Sequence, residues 1–126
     1  MQSLNEIIPK LDNNEAGIIS KKLLGLIRDK SGDVRIRGVN ILINLADKLN
    51  VKDKEVLFTE LMDITENKKP GVKLSAVQVL REMSKNLDER QIKLFTGRLF
   101  ELSKDKEEYV RTSAAYTLNK IPKIES

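Results

Sequence analysis

Apolar residues recur along this chain in three matching sets, each 38 residues after the last: Leu23, Leu61 and Leu99 coincide, as do Leu42, Leu80 and Leu118. Within a set they fall at steps of one, three and four, the spacing of an apolar arc on an α-helix and not the alternation of a half-buried strand. The first segment of each set carries Ile18/Val56/Leu94, Ile19/Leu57/Phe95, Leu24/Met62/Phe100 and Leu26/Ile64/Leu102 around the leucine column, all expected in the core. The second carries Val34, Ile41, Leu42, Leu45 and Leu49 with their copies. It also has a small-residue column, Gly38/Ala76/Ala114, that would let two helix axes approach closely. A fixed period of this length is the signature of a stacked repeat array.

Local signals divide each set into two helices. Asp12, Asn50 and Asp88 open the units with side chains able to accept a hydrogen bond from the free N–H groups of a first helical turn. Polar turns follow about 16 residues later, at Lys30-Ser31-Gly32-Asp33, Lys68-Lys69-Pro70-Gly71 and Lys106-Glu107-Glu108-Tyr109. Pro70 suits the first turn of a second helix. The chain therefore reads as a single repeat domain over 1–126, with units at 12–49, 50–87 and 88–126. Residues 1–11 are expected to form an N-terminal capping helix, because Leu4, Ile7 and Leu11 align with Leu42, Leu45 and Leu49. At the other end Pro122 removes a backbone donor, so the last helix is expected to stop near Ile121, with 123–126 frayed. A lone helical pair of this size cannot offset the entropy of its own ordering, and stacking must supply the rest.

Composition narrows the chemistry. Hydrophobic residues make up 40% of the chain but aromatics only 4%, so the core is aliphatic, which favours helices over a sandwich. There is no cysteine and no histidine. That excludes disulfides, thiolate or imidazole metal sites, and Ser-His-Asp or Cys-His catalysis. Glu107 and Glu108 are adjacent and diverge by about 100 degrees on a helix, so they are no acid–base couple. A non-enzymatic protein without cofactor is expected. The N-terminal segment lacks the continuous apolar run of a secretory signal, and no stretch approaches a membrane span. The expected location is the cytoplasm.

The segments Asp29-Lys30-Ser31-Gly32-Asp33-Val34-Arg35 and Asp105-Lys106-Glu107-Glu108-Tyr109-Val110-Arg111 resemble the inter-helix signature of HEAT repeats, over residues 12 to about 121. The resemblance implies an all-α fold, an α-α superhelix in the form of a right-handed solenoid, built from three HEAT-like hairpins. It further implies that second helices line a concave surface used to bind a partner. In that family an Asp/Arg ladder ties adjacent turns together, a structural role that would fall to Asp29, Arg35, Asn67, Lys73, Asp105 and Arg111. The columns Lys22/Glu60/Arg98 and Arg28/Glu66/Lys104 alternate in sign and are expected to pair within each column along the stack, at roughly 0.2 to 1 kcal/mol per exposed pair.

On a helical wheel the side of the second helices opposite the core holds Arg37, Asn40, Asn44 and Asp47, then Gln78, Arg81, Glu82 and Lys85, then Tyr116, Asn119, Lys120 and Lys123. These positions vary between units while the core positions repeat. Basic residues outnumber Asp47 and Glu82 on this face, which holds most of a net charge of only +4. It is the candidate site for a protein or peptide partner of acidic character, with Tyr116 as its anchor. Nucleic-acid binding is the alternative. Five phosphate contacts give a log–log salt slope of only about 4 to 5, and one aromatic residue supplies little stacking, so that binding would be weak. A monomer or weak homo-oligomer is expected.

Overall fold

The computed structural model describes residues 11–123, and within them the chain is all-helical. Six α-helices follow one another: α1 (Asn13–Ile27), α2 (Gly32–Ala46), α3 (Val51–Ile64), α4 (Pro70–Met83), α5 (Glu89–Leu102) and α6 (Glu108–Lys120). A single 3-10 turn at Ser84–Asn86 follows α4, and no strand occurs among the described residues. None of these helices is long and apolar enough to cross a membrane. The expected capping helix lies outside the described residues, except for Leu11, which is half-buried and not helical.

The odd-numbered helices start where the sequence places them. Asp12, Asn50 and Asp88 are their N-caps, with side chains accepting from the backbone N–H of Glu15, Asp53 and Gln91. Glu15 and Gln91 reach back to the cap N–H, so two free donors are satisfied at each of those ends. The even-numbered helices begin without such a cap. There the preceding turn is fixed instead: Asp29, Asn67 and Asp105 accept from the N–H of Ser31, Lys69 and Glu107, each two residues on. Asparagine performs this task as well as aspartate, which accounts for Asn67 in the middle unit. Pro70 occupies the first turn of α4, where its missing N–H costs nothing. At the far end α6 stops at Lys120, and Ile121 before Pro122 is extended.

Neighbours in sequence pack together, α1 with α2, α3 with α4 and α5 with α6, while α4 also contacts α2 on one side and α6 on the other. Gly38 is required at the first of these contacts, since a Cβ there would stand 2.8 Å from Leu26 Cβ. Gly17 similarly admits the Asp53 carboxylate, which a side chain would strike. The core is aliphatic apart from Phe58 and Phe95, and α4 is its centre, with Val72, Ala76, Val77, Val79 and Leu80 all at 1% exposure or less.

Two expectations are corrected. The Ile18/Val56/Leu94 column is not core: Ile18 is 60% and Leu94 47% exposed, and Val56 is half-buried. The apolar arc on these helices is wider than the sector their neighbours cover. In the next column Leu24 is buried and Met62 half-buried, but Phe100 is 58% exposed, because no described helix follows to cover it.

The alternating charges pair between columns and not within them: Arg28 meets Glu60 at 3.7 Å and Arg98 meets Glu66 at 2.9 Å. The partners of the latter are 32 residues apart, not 38, so successive pairs meet with their equivalent positions offset. Arg98 does more than pair. Its guanidinium donates to the Met62 carbonyl at 3.0 Å and to Thr65 Oγ1 at 2.6 Å, capping the C-terminal end of α3 from α5.

Candidate functional site

The turns that close each unit hold the proposed ladder residues. Lys73 Nζ donates to Asp105 Oδ2 at 2.7 Å, with side chains only 17% and 10% exposed, joining the start of α4 to the turn before α6. That hydrogen bond, then the Glu107 N–H, holds the Asp105 carboxyl below the usual carboxylate range. Arg35 makes no equivalent ion pair with Asn67, which is neutral. It donates to the Asp29 carbonyl at 2.7 Å and lies over Gly71 of the following unit, where a Cβ would approach its terminal nitrogen to 2.6 Å. Arg111 donates to the Asp105 carbonyl at 2.8 Å within its own turn, and its side chain is exposed.

The face opposite the core is split by the structure. Arg37, Asn40, Asn44 and Gln78 are exposed along α2 and α4. Arg81, Glu82, Lys85, Tyr116 and Lys120 are brought together around a depression of about 370 Å³ between α4 and α6, floored in part by Ser84 and Pro122. Helical geometry explains the grouping: Arg81 and Glu82 lie in the last turn of α4 and Lys85 in the 3-10 turn that follows it, while Tyr116 and Lys120 are about one turn apart on α6. Packing of α4 on α6 sets the two groups side by side.

The centre of this cluster is an ordered cation–aromatic stack. The Arg81 guanidinium lies 4.8 Å from the centroid of the Tyr116 ring, and Lys120 Nζ lies 5.5 Å from it. Contacts of this kind contribute about 0.5 to 1 kcal/mol each where water has access. Arg81 is anchored from below as well: its Nε donates to Thr117 Oγ1 at 2.9 Å and a terminal nitrogen reaches Ser113 Oγ at 3.4 Å. Thr117 is fully buried and donates its own hydroxyl proton to the Ser113 carbonyl at 2.8 Å. A guanidinium held in this way keeps its orientation when a ligand arrives, so little side-chain entropy remains to be lost.

Thr117 and Ser113 were not singled out by the sequence reasoning. A signal existed, because Thr117 falls in a core column otherwise filled by Ile41 and Val79. A hydroxyl at a buried apolar position calls for a partner, and the partner is Arg81.

The arrangement suits recognition of anionic groups by a half-exposed, positively charged aromatic platform. No group of three or more His, Cys, Asp or Glu side chains able to hold a metal ion occurs among the described residues. No family model matches the chain, and it has no match among curated proteins or solved structures.

Proposed function

We propose that this protein is a HEAT-like α-solenoid of three hairpins, right-handed in its superhelix, that works as a non-enzymatic adaptor and binds an acidic protein or peptide on the α4–α6 platform. The observation that carries this reading is the fixed stack of Arg81, Tyr116 and Lys120, with Lys85 beside it. Tyr116 is 51% exposed although Arg81 and Lys120 stand against its ring. It offers a flat apolar surface with a polar tip, and the cations add electrostatic preference for carboxylates without a deep pocket. A phosphate-backbone ligand is less well served, since Arg81 already spends two donors on Thr117 and Ser113.

The test is capture of partners from a native cell lysate, compared between the unaltered chain and a Tyr116→Ser, Lys85→Glu, Lys120→Glu variant. Arg81 is spared because it also joins α4 to α6. Capture of the main partner should fall at least about tenfold, equivalent to 1.4 kcal/mol, with helical content and melting temperature unchanged. Equal capture by both proteins would remove the platform from consideration. Capture that is lost on adding nuclease would point to nucleic acid instead.

A further inference from the structure

We propose a second interface, adjoining the platform at Pro122: the exposed side of α5 and α6 receives the α1–α2 side of a second copy of this chain, so that copies associate head to tail. The starting point is a groove on the last described helical pair. It measures about 990 Å³ and runs between α5 and α6, lined by Lys93, Thr96, Phe100, Leu118, Ile121 and Pro122 among others.

The same columns one unit earlier show what such a surface does when it is covered. Glu55 hydrogen-bonds to Gln91 and the Met62 carbonyl accepts from Arg98, both reaching the pair that follows, and in the same set of columns Phe58 is 2% exposed and Leu80 fully buried. In the last unit these columns are Lys93, Thr96, Phe100 and Leu118, with Phe100 58% exposed and Leu118 half-buried. The groove therefore continues an interface that the chain already makes with itself.

The α1–α2 side carries the complementary deficit. Val34 and Ile41 are only half-buried, whereas their copies Val72, Val110, Val79 and Thr117 are at 1% exposure or less. Carrying the internal register across to a second copy gives two favourable charge pairs. The Lys73–Asp105 contact becomes Arg111 with Asp29 of the second copy, and the Glu55–Gln91 contact becomes Lys93 with Glu15 of the second copy. It gives one unfavourable pair: where Glu66 meets Arg98, Lys104 meets Lys22 of the second copy. Because the surfaces are different, the contact is heterologous and forms open chains whose length rises with concentration. The clash between the two lysines keeps it weak, and so does competition with residues 1–11, which the alignment of Leu4, Ile7 and Leu11 with Leu42, Leu45 and Leu49 expects on the same side.

Sedimentation velocity of the full chain, from micromolar to millimolar concentration at low salt, tests this. The unaltered protein should show a rising weight-average mass, and Phe100→Glu should hold it at the monomer mass. The register is tested by a gain. Lys104→Glu converts the unfavourable pair to a favourable one and should tighten association at least about tenfold, and adding Lys22→Glu should cancel that gain by restoring a like-charge pair. A monomer at every concentration in all variants would overturn the proposal. So would equal association of Lys104→Glu with and without the Lys22 change, since a symmetric face-to-face dimer would not bring these two positions together.

Discussion

Deleting residues 88–126 is expected to abolish cooperative folding of what remains, leaving a chain that is largely unfolded or aggregated at 25 °C. The deletion removes α5 and α6, and with them the packing on α4, from a core in which Phe58 and Leu80 now stand at 2% and 0% exposure. The last described helical pair shows the outcome, since its own equivalent of Leu80, Leu118, is only half-buried. Uncovering a large aliphatic or aromatic side chain forfeits on the order of 1.5 to 3 kcal/mol. Four polar ties are lost with it: Lys73 to Asp105, Arg81 to Thr117, Glu55 to Gln91, and Arg98 to the end of α3. Against a total stability of about 5 to 15 kcal/mol for a domain of this size, losses of this extent are decisive. Circular dichroism in a urea titration checks it. A sharp, reversible transition in the shortened chain would show that two helical pairs suffice.

Among single substitutions the largest loss is expected for Phe58→Ala, about 3 to 5 kcal/mol. Phe58 lies on α3 at 2% exposure in a close-packed core, which relaxes only in part around the space of a lost ring. Phe100→Ala is the matched control. The Phe100 ring is 58% exposed, and its removal should change stability by no more than about 0.5 kcal/mol. Urea unfolding of both variants, with an unchanged slope, separates the two outcomes. Similar losses at the two positions would mean that the α5–α6 side is covered in solution by the protein itself.

These two phenylalanines also mark how far the sequence alone could go. Columns with one residue type in every unit, such as Leu23/Leu61/Leu99, announce helices, register and burial, and the N-caps at Asp12, Asn50 and Asp88 announce where helices begin. Phe58 is hidden in a Ser/Phe/Thr column, whose members do not repeat, so periodicity gives it no weight. Phe100 was misplaced for the opposite reason: it belongs to a regular apolar column but lies on the last described helical pair, and periodicity does not say what covers a pair. The charged columns failed in register for a third reason. Residue spacing gives position along one helix, whereas the offset seen in Arg28–Glu60 and Arg98–Glu66 lies between helices, which no single-helix pattern encodes.

The candidate site was legible in the same partial way. Arg81, Glu82, Lys85, Tyr116 and Lys120 were selected from helical wheels, and the structure gathers all five around one depression. Arg37, Asn40, Asn44 and Gln78 came from the same wheels but line no part of it. The difference lies in Arg81, whose bonds to Thr117 and Ser113 organise only the α4–α6 junction. The equivalent position in the first unit is Ile43, which offers no donor, so α2 and α4 form no comparable platform.

The central claim is that the helical pairs are stable only collectively, with α4 shielded from both sides. Native-state amide hydrogen exchange tests it most directly. The Ala76 to Leu80 amides of α4 are expected to open only with the whole molecule, at a free energy equal to that of urea unfolding. Opening of those amides at a free energy lower by about 2 kcal/mol or more, with α1 or α6 still protected, would contradict the account.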